Sequence, residues 1–267
     1  MKRFSYSSLE TYKKCPAQFK IRYIDNVRKA DESIEAFMGK RVHEALEYLY
    51  NEILDGRIPF FDHVVEEYNS TWQDKWHKRI GIVRTEKSIN YYRSLGEDCI
   101  ARYYRKYSPF EEPLFGNEIE LNFTLNGDGK YLIKGIVDRL DHDGDGNWEI
   151  HDYKSGKRPL TQSQADRDNQ LPLYQIGLMS KDKEIKSVKL VWHFLQHGIV
   201  IESVRTDKQL DDLSKSLMQQ IDKIQSRINS GGKFPAKKSI LCNWCYYWEE
   251  CPAQYDTNPF IKEKEII

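Results

Sequence analysis

Residues 130–154 read KYLIKGIVDRLDHDGDGNWEIHDYK, two apolar-rich runs of strand length around a turn of Asp, Gly and Asn. These turn residues supply the positive φ angles and local side-chain hydrogen bonds of a tight reversal, so the stretch predicts an antiparallel hairpin with strands at 130–140 and 148–154. With the turn centred near Gly144, facing residues carry numbers that sum to about 289. Asp138 then lies opposite Asp152, or one residue away. Lys154 shares a strand face with Asp152, because side chains alternate along a strand. Two carboxylates and an ammonium group thus converge on one surface. Ile136, Leu140 and Ile150 fall on the same face, and charges set among apolar side chains demand partners.

Such a trio suits phosphodiester hydrolysis. Two carboxylates hold a hard cation such as Mg²⁺ while leaving positions for water and phosphate. The metal acidifies its bound water, and a nearby lysine orients that water or stabilises developing negative charge. The plainer alternative is a surface hairpin with solvated charges. The turn also imitates a calcium loop, with Asp141, Asp143, Asp145, Gly146 and Asp152 at the required spacing. Its last ligand is Asp where that loop takes Glu, and its flanks are strands rather than helices, so a tight turn explains it more simply.

Working outward, FGNEIELNFTL from Phe115 has a strand pattern, and the segments before it have helical periods. Apolar residues from Ile34 to Leu54 recur at helical spacing, and further helices are predicted over 62–78 and 86–107. Ser7 and Glu10 form a capping-box pattern that starts the first helix near Ser7. Downstream come a helix over 163–180, strands at 187–196 and 199–206, and a helix over 207–230 closed by Gly231-Gly232. This order predicts one α/β domain with an N-terminal helical addition.

Composition narrows the function classes. The 267 residues are 39% hydrophobic and 31% charged, which fits a globular chain. No apolar run approaches the ~20 residues that span a bilayer, and the N-terminus has no apolar stretch behind its basic residues. The reading is an intracellular, cytoplasmic protein without a membrane partner. Lys plus Arg and Asp plus Glu both number 41, so nucleic acid binding requires a local basic groove rather than a global field. Seventeen tyrosines and six tryptophans are mostly core residues, with a minority free to stack on bases.

The five cysteines are Cys15, Cys99, Cys242, Cys245 and Cys251, and an odd count argues against a disulfide framework. Cys15 and Cys251 both precede Pro-Ala-Gln and an aromatic residue. From the residues alone, Cys15, Cys242, Cys245 and Cys251 fit an iron–sulfur cluster, a zinc ion or no metal at all. Cys99 reads as a small buried residue.

With these residues in hand, the chain resembles the PD-(D/E)XK nuclease superfamily, in its RecB-like branch. Asp138 in GIVDRLD and Asp152-Tyr153-Lys154 in IHDYKSGK resemble that superfamily's second and third motifs. Gly39-x-x-x-His43 in GKRVHEALEYL resembles the helix that supplies a metal-binding histidine, and Gln170-x-x-x-Tyr174 in QLPLYQIGL resembles the downstream Q-x-x-x-Y motif. The opening SYSSLETYKKCPAQF, with the three late cysteines, resembles the iron–sulfur subset that includes AddB-type domains and CRISPR-associated RecB-like exonucleases.

The resemblance implies a restriction-endonuclease-like core, a central mixed sheet flanked by helices, with a Cys-rich C-terminal segment. It implies that His43, Asp138, Asp152 and the Tyr153 carbonyl bind Mg²⁺ or Mn²⁺. Lys154 becomes the catalytic lysine, with Gln170 and Tyr174 positioning the site, and Cys15, Cys242, Cys245 and Cys251 hold a [4Fe-4S] cluster. The expected regions are a helical 1–110, a nuclease core 111–232 and a cluster segment 233–267, integrated into one domain. The implied function is a metal-dependent DNA nuclease, an exonuclease on single-stranded or end-processed DNA in repair, recombination or CRISPR or phage DNA processing. A helicase, recombinase or CRISPR protein is its implied partner. The alternative is an inactive nuclease-fold protein that binds nucleic acid within a larger complex, against which the intact Asp138, Asp152 and Lys154 stand. Glu118 and Glu120 precede the hairpin, and the motifs give neither a place.

Overall fold

A computed structural model describes residues 3–127, 129–156 and 158–253, so the end of the expected cluster segment, 254–267, lies outside the described residues. The hairpin forms the centre of the fold. Strand β5 (Leu132–His142) runs into β6 (Asn147–Lys154), and Arg139 faces His151, Leu140 faces Ile150, and His142 faces Trp148. The turn is held by Asp143, whose carboxylate accepts from the Asp145 and Asn147 amides and from Asn147 Nδ2 at 2.7–3.1 Å. Those oxygens are committed to a tight turn, as the Asp-Gly composition requires.

On its other edge β5 pairs antiparallel with β4 (Leu114–Thr124), while β6 runs parallel to β7 (Ser187–Phe194), which pairs antiparallel with β8 (Ile199–Ser203). A two-residue strand β1 (Arg3–Phe4) joins β5 in parallel at Leu132 and Ile133. The result is a mixed six-stranded sheet, with a second two-stranded sheet made by β2 (Glu32–Ser33) and β3 (Ile80–Gly81).

The sheet is split where the hairpin matters most. Opposite β4, one edge of β5 is shared by β1, which reaches Ile133, and β6, which begins at Arg139. Among the described residues no strand pairs with 134–138 on that edge. The expectation that Ile136 lies on a buried face is therefore corrected: it is 43% exposed, because β6 has left β5 before reaching it. Leu140 and Ile150, inside the paired region, are buried.

Helices close both faces. One side holds α1 (Tyr6–Lys14), the short α2 (Pro16–Phe19), and, further along the chain, α7 (Gln170–Lys181) and α8 (Asp207–Asn229) around Ile150, Leu190 and Trp192. The other side holds α3 (Ile34–Leu54), α4 (Phe61–Asp74) and α5 (Ile89–Tyr107), which bury Phe37, Leu46, Tyr68 and Ile100 against Tyr153. The N-terminal helices are thus one wall of the sheet. The first helix is capped by Ser5, not Ser7: Ser5 accepts from the Ser8 amide, and Ser8 returns the bond. The helix expected over 163–180 is broken into α6 (Gln162–Ala165) and α7, because Arg205 takes the Ala165 and Asp168 carbonyls at 2.6 and 3.1 Å. No helix among the described residues is long and apolar enough to cross a membrane.

A buried polar network fixes the hairpin to the helical wall. Arg139, 1% exposed, grips Asp141 with a two-nitrogen fork and donates to the Tyr50 and Tyr103 hydroxyls. Burial alone raises the Asp141 carboxyl, but bonds from His151 and Arg139 override it and hold it at about 2. Tyr107 meets His193 Nδ1 at 3.1 Å, His193 Nε2 meets His151 Nδ1 at 2.9 Å, and His151 Nε2 lies 3.2 Å from Asp141. One set of neutral tautomers lets Tyr107 donate to His193 and His193 to His151, with His151 Nε2 turned toward Asp141 in electrostatic contact. Burial first, then the neighbouring ring and Arg139, depress His193 well below its ordinary 6.5, and burial and Arg139 also lower His151.

The unfolded chain keeps ordinary imidazoles and takes up protons that the folded chain refuses, so this contribution is complete above about pH 6.5 and is lost as pH falls below it. Each ring contributes a slope of up to about 1.4 kcal/mol per pH unit. Urea unfolding between about pH 7.5 and 5 is expected to show this acid limb, flattened in His193→Gln; an unchanged limb in that variant contradicts the assignment.

Candidate active site

The ladder ends at Arg139 and His151, and the next position in its register, Asp138 with Asp152, is where the two strands part. The ladder is continued by a side chain: Asp138 Oδ2 accepts the Tyr153 amide at 2.7 Å. This bond fixes the carboxylate at the fork and leaves Oδ1 turned toward His43, whose Nδ1 is 3.7 Å away.

Asp152 and Lys154 share a face, as alternation requires. Lys154 Nζ donates to Asp152 Oδ1 at 2.8 Å and to Gln170 Oε1 at 2.9 Å, and Gln170 Nε2 donates to Asp152 Oδ1 at 2.8 Å. Gln170 is the first residue of α7, and its amide is capped by Asp168 at 2.9 Å. Asp152 Oδ2 is buried and accepts no hydrogen bond of sound geometry, although Lys154 Nζ stands 2.6 Å from it. We read that contact as electrostatic proximity, because the ammonium's directed bonds go to Oδ1 and to Gln170.

His43 arrives from α3, which is capped by Ser33 accepting from the Ala36 amide at 3.2 Å and driven inward by Ile34, Phe37, Val42 and Leu46. Gly39 lets that helix approach the end of β6, since a Cβ there lies 2.7 Å from Ser155 Oγ. One turn later His43 Nε2 reaches the Tyr153 carbonyl at 2.9 Å. Tyr174, one turn beyond Gln170, packs against Gly135, where a Cβ meets its ring at 2.5 Å. Burial first, then the charge of Asp152, pushes its hydroxyl up to about 12, against a bond from Gln170. The structure therefore brings His43, Asp138, Asp152, Tyr153, Lys154, Gln170 and Tyr174 to the split end of the sheet.

Two residues were missed by motif reading. Glu118 of β4 sits directly across from Asp138, between the pairs Asn117–Arg139 and Ile119–Val137. Ligand atoms of His43, Glu118 and Asp138 all lie within 4.8 Å of one another. Burial first, then Asp138, pushes the Glu118 carboxyl up to about 7, and burial also raises Asp138. Glu118 holds φ at 49°, a left-handed conformation costing a non-glycine residue about 1–2 kcal/mol. No local pattern in EIEL announces that twist. Tyr6, the first residue of α1, is also close: burial raises its hydroxyl most, followed by Asp168, Glu10, Asp152 and Tyr174. Glu120 stays exposed, bonded to Lys134 and Asn122.

A second acidic group, Asp141, Glu149 and His151, also converges within 4.8 Å. Its charges are already answered, Asp141 by the Arg139 fork and Glu149 by Lys189 at 2.6 Å. The calcium-loop spacing therefore gathers no ion site: Asp141 faces Arg139 and Asp143 holds the turn.

The two chain ends meet at the cysteines. Cys15 caps α1 and opens α2 ahead of Pro16, and Cys242 lies within a 3₁₀ turn (Ile240–Trp244) that Cys245 caps. Ala17 donates to the Pro235 carbonyl at 3.3 Å and Lys237 Nζ to the Lys13 carbonyl at 2.9 Å. The Lys237 and Ser239 amides each approach a sulfur, of Cys15 and Cys242, at 3.5 Å. Burial, then the field of Cys15, Cys242 and Cys251 against one backbone bond from Tyr247, raises the Cys245 thiol to about 11. Cys15, Cys242 and Cys251 thus all lie within electrostatic reach of Cys245. Cys99 is separate and buried in α5.

A sequence model of the PD-(D/E)XK nuclease superfamily matches residues 3–252. The chain belongs to this superfamily. It is 27% identical over 184 residues to an ATP-dependent helicase/deoxyribonuclease subunit of Streptococcus uberis, covering 67% of this chain and 16% of that protein. The chain therefore spans less than a fifth of that relative's length. A crystal structure assigned as an exonuclease from Eubacterium rectale superposes with a TM-score of 0.54 over 92% of this chain and 88% of its own, at 13% identity, a likeness of fold. In PD-(D/E)XK terms, the mixed sheet carries the two aspartates and the lysine on adjacent strands, and α3 and α7 close the site from opposite sides.

Gly135→Ala drives a methyl group into the Tyr174 ring and is expected to destabilise the protein by about 1–3 kcal/mol in denaturant titration. Gly156→Ala, which meets nothing within 4 Å, is expected to stay within about 0.5 kcal/mol. Equal effects at the two glycines contradict the Tyr174 placement.

Proposed function

We propose that this chain is a Mg²⁺- or Mn²⁺-dependent deoxyribonuclease that hydrolyses phosphodiester bonds, acting as an exonuclease on single-stranded or end-processed DNA. The observation that carries the reading is the fork itself: two aspartates, a histidine, a backbone carbonyl and a clamped lysine at one opening in the sheet. The donor set fits a hard divalent cation, because Asp152 Oδ2 is buried without a directed hydrogen bond and Asp138 Oδ1 faces His43. His43, Asp138, Asp152 and the Tyr153 carbonyl are the residues to hold it. When bound, such an ion lowers the pKa of its water and draws charge from phosphoryl oxygens.

The chain's own residues do the rest. Gln170 and Asp152 hold the Lys154 ammonium in one orientation, so its donors face the place where negative charge grows during attack. Tyr153 points away from that face and hydrogen-bonds Tyr103 at 3.0 Å, which fixes the backbone on which both Asp152 and Lys154 ride. Tyr174 packs over Gly135 and carries Gln170 with it on α7. Residues 1–110, 111–232 and 233–267 work as one integrated domain in this reading.

The four cysteines are assigned to a [4Fe-4S] cluster joining the chain ends. Three thiols within electrostatic reach of Cys245, and backbone N–H groups meeting Cys15, Cys242 and Cys245, match the donor set and hydrogen bonding of such sites. The assignment of a helicase, recombinase or CRISPR partner rests on likeness to a helicase/deoxyribonuclease component that is several times longer.

Labelled single-stranded DNA incubated with Mn²⁺ is expected to be degraded from its ends by the parent, and on the order of 100–1,000-fold more slowly by Lys154→Ala. Equal rates in parent and variant, or binding without cleavage by the parent, contradict the assignment. Purified without oxygen, the protein is expected to be brown, with about four irons and four sulfides per chain, both lost in Cys245→Ser. A colourless preparation with one zinc per chain rules the cluster out.

A further inference from the structure

Glu118 and Asp138 face each other across β4 and β5, where like charges directly opposed on one sheet are destabilising. Nothing on either strand relieves them. The next residue of β5, Arg139, points into the buried network with Asp141, Tyr50 and Tyr103. Lys134 is taken by Glu120, and Lys154 by Asp152 and Gln170. The group left facing the pair is His43, a ring already bonded to the Tyr153 carbonyl. A half-buried carboxylate held there, on a left-handed residue inside a strand, faces a second carboxylate and an imidazole, a donor set that a bound divalent cation would stabilise.

We infer that Glu118 is a metal ligand of this chain, holding a divalent cation together with Asp138 and His43 between β4 and β5. Three oxygen or nitrogen donors within 4.8 Å of one another span the distance across one ion. Glu118 reaches the ion from the strand edge remote from Asp152, so Asp138 stands between the two acidic groups and serves both. The inference rests on the metal-dependent reading of the fork and extends it to a carboxylate that no motif names.

The test uses the full chain stripped with EDTA and returned to chelator-free buffer, with Mn²⁺ as the probe. Free Mn²⁺ is followed by electron paramagnetic resonance and melting by scanning fluorimetry. Glu118→Gln is expected to weaken Mn²⁺ binding on the order of 10–100-fold. Glu120→Gln, the same charge change two residues along the strand, is expected to bind as the parent does. Without metal, Glu118→Gln is expected to melt above the parent, because one of two opposed carboxylates has gone; on adding Mn²⁺ its melting temperature rises less.

Parent-like Mn²⁺ affinity in Glu118→Gln, with binding lost in Asp138→Asn, overturns the inference and leaves the nuclease reading standing. Weaker binding in Glu118→Gln with a lower metal-free melting temperature also overturns it, because damage to the strand then explains the loss. A parent that binds no Mn²⁺ overturns both this inference and the metal-dependent function.

Discussion

Carboxylates forced together at a break in a sheet are the constraint around which this molecule is arranged. Asp138 cannot be solvated freely, because its strand lies between β4 and the start of β6. It cannot be neutralised by its own neighbour either, because Arg139 points the other way. The sheet answers by parting. Where β6 leaves β5, the Tyr153 amide that the ladder gives up is taken by the Asp138 side chain, and the strands stay parted beyond it.

Such a shape must be held from behind. Arg139, Asp141, His151 and Tyr153 turn into a buried network with Tyr50, Tyr103, Tyr107 and His193, while Asp152 and Lys154 turn to the candidate site. Removing one partner from such a buried pair typically costs about 3–5 kcal/mol, far more than a surface pair contributes. The N-terminal helices supply the tyrosines of that network and His43 at the same time, so the helical region is as much a part of the site as the sheet. The Cys-rich segment reaches the same wall: the Ser33 amide, at the cap of α3, donates to the Tyr246 hydroxyl at 2.8 Å.

The central hairpin was legible because its turn chemistry is local and its register follows by counting; Arg139 facing His151 extends to set Asp138 against Asp152. The α/β class followed from the order of periods, and the mixed sheet agrees with it. What depends on partners far away in sequence was not legible. Ile136 looked buried by alternation, yet its exposure follows from where β1 stops and β6 starts. The break before α7 depends on Arg205, some forty residues downstream. Glu118 depends on a backbone twist that propensity does not encode, and Ser5 displaced Ser7 as the cap because Ser8 closes the box as well as a glutamate does.

The central claim is that the fork gathers one divalent ion between Asp138 and Asp152. Crystals grown with Mn²⁺ and measured at the manganese absorption edge test it most directly. An anomalous peak is expected at about 2.0–2.3 Å from carboxylate oxygens of Asp138 and Asp152, with the Tyr153 carbonyl in its shell. An empty fork, or manganese found only at Asp141 and Glu149, contradicts it.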